Sequence, residues 1–305
     1  MNNTQTLRHN ILNISLFILG TIIISSLLCI FFAQVTDVYM YDILAVKVKC
    51  DDLLLEPDNS IQILFVGDSE CFSCFDCNYL YDKYGYTSFN CGTGRQKICD
   101  SYAIAYEAFK NQTPQIIVLE TNNLFRNVST DEDSNDPVLN FLIKNVPLFS
   151  NHSYWKPAIR KFMPKDRETK RRKNRGFVGK DIIVPYNGGK YMKKTKKVKK
   201  IKPDEMEYLD KINDLCNEKG CRLILVSTPS PVNWNYKKHN GVKKWAKEHS
   251  VDYLDLNLDK DIGINWKKDS KDGGDHLNKY GAKKVTTIFG KYIRDNYNIL
   301  SIPTL

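Results

Sequence analysis

The sequence predicts an α/β protein: a doubly wound, three-layer α/β/α sandwich around a parallel sheet of about five strands, behind one N-terminal transmembrane helix. Three observations predict it. Short apolar runs alternate with amphipathic stretches, a glycine or a polar turn follows most of those runs, and one uncharged apolar stretch near the N-terminus is far longer than any other. Strands that alternate with helices pair in parallel, because each crossover helix returns the chain to the same edge and covers a face of the sheet.

The long stretch is Ile11 to Val35, ILNISLFILGTIIISSLLCIFFAQV. It exceeds the roughly 20 residues that a helix needs to cross a ~30 Å hydrocarbon core. A cleaved signal peptide has a shorter apolar region followed by small residues. Here the run ends Phe31-Phe32-Ala33-Gln34, so an uncleaved anchor is expected. Arg8 precedes the run, and Asp37, Asp42, Lys47 and Lys49 follow it, so flanking charge barely discriminates orientation. The tail of residues 1–10 is expected to stay in the cytoplasm, as the easier segment to leave behind. Residues 11–35 then span the membrane, 36–60 form a linker, and 61–300 form an extracytoplasmic domain.

Within that domain, Ile61–Val66 (IQILFV) reads as a buried strand stopped by Gly67. A helix is expected over Cys74–Tyr84 and a second strand over Thr87–Asn90, broken by Gly92 and Gly94. A helical pattern covers Lys97–Asn111. Gln115–Leu119 (QIIVL), after Pro114, is the third strand. Pro137–Phe149 can form a helix with Asp136 as its cap. Pro203–Lys219 is amphipathic, with Met206, Leu209, Ile212 and Leu215 on one stripe and Gly220 as its stop. Arg222–Ser227 (RLILVS) and Val251–Leu256 (VDYLDL) are strands on either side of a helix at Val242–His249. Lys279–Tyr297 is the last helix.

The formal net charge is +10, and it is concentrated. Residues 156–202 carry 19 Lys and Arg against Asp166, Glu168 and Asp181, a net +16, so the remainder is about −6. This stretch reads as one basic insertion of loops or short strands. It would suit anionic lipid headgroups or an anionic wall polymer, or simply be solvated; nucleic acid is not expected as the partner of an exported domain. Eight cysteines lie outside the apolar stretch, which contains Cys29. They are compatible with disulfides or free thiols, with Cys216 and Cys221 suited to closing a small loop. Cys71-x-x-Cys74-x-x-Cys77 has no second matching motif and is not expected to bind metal.

In a doubly wound sheet, chemistry sits at the carboxyl ends of the strands. After the first strand comes Gly67-Asp68-Ser69-Glu70, a turn that can present a hydroxyl or merely cap a helix. After the third comes Glu120-Thr121-Asn122-Asn123, where an amide could donate to an oxyanion or belong to a polar loop. Before the last helix comes Lys271-Asp272-Gly273-Gly274-Asp275-His276-Leu277-Asn278. Of five histidines, only His276 has flanking glycines and adjacent carboxylates, the surroundings of a general base.

The order of these blocks along the chain resembles that of the SGNH/GDSL hydrolase superfamily, over roughly Ile61 to Tyr297 with the basic stretch unmatched. The resemblance implies Ser69 as nucleophile, His276 as general base, and an oxyanion hole from Asn122 and the backbone of Gly92 or Gly94. Family members usually have Gly-x-Asn-Asp where this chain has Glu120-Thr121-Asn122-Asn123. The family's Asp-x-x-His would need an acid at position 273, which is Gly273. Asp272 is therefore preferred as the triad acid, because an immediate neighbour points poorly at its own imidazole, and Asp275 is the alternative. An outward-facing, anchored domain of this type is similar to the DltD-like and polysaccharide O-acetylation branch. That similarity implies an O-acyltransferase, or else an esterase, working without cofactor or metal on a cell-surface glycopolymer such as teichoic acid or polysaccharide, beside a membrane-bound O-acyltransferase. The alternative is a non-catalytic anchored protein that binds an anionic polymer or lipid.

Overall fold

The computed structural model describes residues 2–35, 44–128, 138, 141–142, 145–151, 155, 159 and 170–299. Two compact units divide the chain: Met1–Leu44 with Ser129–Arg167, and Ala45–Val128 with Glu168–Leu305.

The first unit contains a helix over Asn2–Val35. Its span Gln5–Gln34 has a mean hydropathy of 2.6 and is long and apolar enough to cross a membrane. Its Leu, Ile and Phe side chains are largely uncovered. The short helix Pro147–Asn151 packs against it, within the same unit. The expected helix over Pro137–Phe149 falls partly outside the described residues, as do its Asp136 cap and Pro137.

The second unit is built on five parallel strands in the order β2-β1-β3-β4-β5. They are β1 (Ile63–Val66), β2 (Ser88–Asn90), β3 (Ile116–Glu120), β4 (Arg222–Ser227) and β5 (Asp252–Asp255). Phe65 pairs with Asn90 on one side and Val118 on the other, and Leu119 pairs with Leu225. The chain leaves β1 toward β2 on one side and later continues outward through β3, β4 and β5 on the other. The switch point therefore lies between β1 and β3, where diverging connections open a crevice at the carboxyl edge.

Both faces of the sheet are covered, which is why β1 and β3 are apolar at nearly every position. On one face Ile63, Phe65, Val118 and Ile224 pack with Phe75, Val285 and Phe289, the last two from the Lys279–Asn296 helix. The rings of Phe65 and Phe75 stack with centroids 4.4 Å apart. Each such fully buried side chain contributes about 1.5–3 kcal/mol. The helices Ile98–Ala108 and Pro203–Glu218 pack against each other and against β1 and β4 respectively.

Three local features differ from the expectation. The helix expected over Cys74–Tyr84 is two helices, Ser69–Cys74 and Cys77–Tyr84, because the carboxylate of Asp76 accepts from the Tyr79 N–H and starts a new helix. The expected linker contains a helix, Leu44–Leu53, whose buried Lys49 Nζ donates to the carbonyls of Asn90 and Gly176 at 2.9 and 2.8 Å. The basic stretch has a helical turn at Lys170–Lys173 and then runs without regular structure, stitched to the domain. Val178 N–H donates to Phe72 O, Val184 N–H to Ser270 O, and Lys199 N–H to Lys237 O. Gly176, at φ +82°, passes so close to the end of β2 that a Cβ there would lie 1.8 Å from Asn90 O.

All nine cysteines are free thiols. Cys71, Cys74 and Cys77 are buried in the core under the Lys279–Asn296 helix, and burial holds their thiols protonated, with Cys77 pushed up to about 12. Cys216 and Cys221 are neighbours through a backbone bond from Cys221 N–H to Cys216 O.

Candidate active site

Gly67 ends β1 with φ +153°, a conformation that favours glycine. Asp68 then caps the short helix that begins at Ser69, its Oδ1 accepting from the Glu70 N–H at 2.9 Å. The capping function that Ser69 could have served is thus filled by Asp68, and the Ser69 hydroxyl points elsewhere. Its Oγ lies 2.7 Å from Nε2 of His276. Nδ1 of His276 lies 2.6 Å from Oδ2 of Asp272, and the His276 N–H donates to Oδ1 of the same carboxylate at 2.7 Å.

Asp272 reaches the ring because the two residues after it, Gly273 and Gly274, both have positive φ, +76° and +98°. Their left-handed backbone doubles the loop back, so the residue four before His276 faces the imidazole. The Ser270 hydroxyl fixes this loop by accepting from the N–H groups of Asp272 and Gly274. Asp275 is less well placed, with Oδ2 3.6 Å from Nδ1 of His276 and Oδ1 accepting from the Asn233 amide.

Asn122 leaves β3 in a short 3-10 turn, Thr121–Phe125, and is almost fully buried. Its Nδ2 donates to Asp68 Oδ2 at 2.9 Å. Gly92 and Gly94 separate in function. The N–H of Gly92 is turned inward onto Oδ1 of Asn90, so the reading of Gly92 as an oxyanion donor is corrected. Gly92 is instead a close-approach residue: a Cβ there would lie 2.9 Å from Asp68 O and from Phe72 N. Gly94 is exposed, and its N–H has no acceptor among the described residues. The N–H of Ser69, first in its helix, likewise has no acceptor there.

Several polar groups beneath the site escaped the sequence reading. Asp68, Glu70 and Glu120 are three fully buried carboxylates. Asp68 is compensated by Arg126, whose Nε donates at 2.9 Å. Glu70 accepts from Asn233 Nδ2 at 2.6 Å and from Thr228 Oγ1 at 3.1 Å. Burial, and then the charge of Asp68, push the Glu70 carboxyl up to about 8; the same causes raise Glu120 well above the carboxylate range. Lys238 donates to Asn122 Oδ1 at 2.8 Å. A second His–acid pair, His239 Nδ1 and Asp255 Oδ2 at 2.7 Å, is buried among Tyr253 and Trp234. The only sequence signal for Glu70 and Glu120 was their position beside Ser69 and Asn122 at strand ends.

The raised Glu70 carboxyl has a consequence for stability. The folded state keeps a proton there that the unfolded chain releases near pH 4.5, so stability falls as pH rises from about 4.5 to about 8. Glu70→Gln is expected to remove that slope. At pH 5 its Tm should nearly match the wild type, and at pH 8 it should be the more stable protein, by roughly 3–4 kcal/mol. Thermal unfolding followed by circular dichroism at the two pH values checks this; an unchanged pH slope in the variant would contradict it.

The arrangement is suited to acyl chemistry. A hydroxyl faces a ring nitrogen, the ring is held by a carboxylate, and the hydroxyl's own backbone N–H has no acceptor among the described residues.

No family model matches the chain, and no curated protein matches it. Solved structures similar to it include a GDSL-like lipase from Bacteroides thetaiotaomicron, 9% identical, covering 83% of this chain and 98% of its own, with a TM-score of 0.41. Another is a lipase/acylhydrolase from Enterococcus faecalis, 12% identical, covering 80% of this chain and all of its own, also at 0.41.

Proposed function

We propose that the chain is a membrane-anchored serine esterase or O-acyltransferase that works through an acyl-Ser69 intermediate on a cell-surface glycopolymer. One observation carries the reaction type: the Ser69–His276–Asp272 chain of short hydrogen bonds at the carboxyl edge of the sheet.

In this reading His276 Nε2 takes the Ser69 proton as Oγ adds to the acyl carbonyl. The new oxyanion is held by the N–H groups of Ser69 and Gly94 and by the Asn122 amide. Collapse expels the alcohol of the donor, which takes the proton from His276. A sugar hydroxyl or water then gives its proton to His276 and attacks the acyl carbon, releasing Ser69. Asp272 keeps the imidazole in the tautomer with its proton on Nδ1 and stabilises the imidazolium. The same residues serve transfer and hydrolysis.

Two features support a large anionic acceptor at a membrane surface. The apolar Asn2–Val35 helix would anchor the chain. Lys193, Lys194, Lys196, Lys197 and Lys200 are exposed along the extended basic segment, whose earlier part borders the His276 loop through Val184. The test uses the full chain. Cells expressing it should carry more ester-linked acyl groups on purified surface glycopolymer than cells expressing Ser69→Ala, or fewer if it removes them. A membrane-impermeant thiol probe should label a cysteine introduced at Lys190 in intact cells. Equal acyl content in both strains, or labelling only after lysis, would overturn the surface-polymer assignment.

A further inference from the structure

Lys238 lies on the Tyr236–Glu248 helix and takes no part in the steps above. It is half-buried, and its ammonium is spent on two short hydrogen bonds, to Asn122 Oδ1 at 2.8 Å and to the Asn233 carbonyl at 2.6 Å. The side chain is further held between the rings of Phe125 and Trp234, with Nζ 5.1 and 5.6 Å from their centroids. An ammonium can only donate, and an ionised carboxylate can only accept. Lys238 on one end of the Asn122 amide and Asp68 on the other therefore demand the same orientation, oxygen toward the lysine and nitrogen toward the aspartate. One Nδ2 hydrogen goes to Asp68, and the other is left for a ligand.

We propose that Lys238 is a positioning residue for the oxyanion site, whose ammonium clamps the Asn122 amide in the orientation that presents an N–H to the developing oxyanion. This rests on the acyl-Ser69 reading. The clamp also polarises the amide, since a cation at the carbonyl oxygen makes the N–H groups better donors.

The titratable groups facing Lys238 are the carboxyls of Asp68, Glu70 and Glu120 and the ammonium of Lys199; burial holds Glu70 and Glu120 toward their neutral forms. On its own helix the neighbouring His239 is turned to Asp255. Burial lowers Lys238 to about 8, against the pull of the nearby carboxyl groups. The charged clamp is present below that pH and is lost above it, so oxyanion stabilisation should weaken on the alkaline side.

The experiment compares the full-length wild type, Lys238→Met and Lys238→Arg in detergent, on p-nitrophenyl acetate from pH 6 to 9.5. Loss of an oxyanion donor costs 100-fold or more, and loosening one should lower kcat about 10-fold. Lys238→Met should show that fall with KM within about twofold, and should lose the decline in kcat that the wild type shows above pH 8. Lys238→Arg should recover part of kcat and move the decline beyond pH 9. A wild-type kcat in Lys238→Met, or the same alkaline decline in it, overturns the proposal. A second readout is independent of turnover: the side-chain amide resonances of Asn122, assigned with Asn122→Ala, should titrate near pH 8 in the wild type and be flat in Lys238→Met. If the wild type has no Ser69-dependent hydrolysis, the acyl-Ser69 reading fails by itself. The resonances then decide the clamp: titration upholds it, and a flat wild-type trace overturns it.

Discussion

Ser69→Ala and His276→Ala should each abolish ester hydrolysis while leaving the fold intact. Ser69 and His276 meet only through their side chains at the rim of the sheet, and neither fills the core. Each loss should cost several orders of magnitude in kcat, with a residue of catalysis from the oxyanion donors. The double variant should be little slower than either single one, because nucleophile and base act as a unit. Asn122→Ala should cost about 2.7–4 kcal/mol of transition-state stabilisation, since the backbone donors remain. Asp272→Asn should be severely impaired and Asp275→Asn much less so, because Asp272 grips both the ring and the backbone of His276. Steady-state kinetics on p-nitrophenyl acetate, with circular dichroism as the control for folding, check the whole series. Independent, multiplicative losses in the double variant would contradict the account.

Gly67→Ala should damage stability and the site together. A Cβ at position 67 would lie 2.5 Å from Cβ of Glu120 and 3.3 Å from its Cα, so the clash is with the backbone of the neighbouring strand end, and φ +153° is strained for alanine. Relief requires the ends of β1 and β3 to separate. Those ends carry Ser69 and Asn122, and Oε1 of Glu120 also holds the Asn122 N–H at 3.0 Å. Strain and overpacking together should cost about 3 kcal/mol. For a domain of this size that lowers Tm by roughly 6–12 °C. kcat should fall about 100-fold even well below the new Tm, since a misplacement near 1 Å costs that much. A Gly67→Ala protein with wild-type kcat at 20 °C would show that the approach of the two strand ends does not position the chemistry.

The sheet was readable from the sequence because β1, β3 and β4, buried on both faces, are short apolar runs, and all five strands stand between turn residues. The meeting of Ser69 and His276 was anticipated from their order after those runs. What could not be read depends on contacts distant in sequence. In LAVKVKCDDL the apolar stripe is short, Val46, Cys50 and Leu53, and is interrupted by four charged residues; Leu44–Leu53 is fixed by burial of that stripe and by Lys49 bonding to Asn90 and Gly176, 41 and 127 residues away. Lys238 sits beside Lys237 on a lysine-rich helix, and nothing local distinguishes the buried ammonium from the exposed one. The split between Gly92 and Gly94 turns on a side-chain acceptor, Asn90 Oδ1, that a pattern of glycines does not reveal. The sequence argument for Asp272 over Asp275 was only that an immediate neighbour points poorly at its own imidazole; the positive φ of Gly273 and Gly274, which turns the loop back toward the ring, is a feature of the folded backbone.

The most direct test is covalent trapping. A fluorophosphonate probe loses fluoride to an activated serine oxygen and leaves a phosphonyl ester that mass spectrometry can locate. The account predicts one stoichiometric adduct on the peptide containing Ser69, absent from Ser69→Ala and formed at least 100-fold more slowly in His276→Ala. An adduct on another residue, or undiminished labelling of Ser69→Ala, would contradict it.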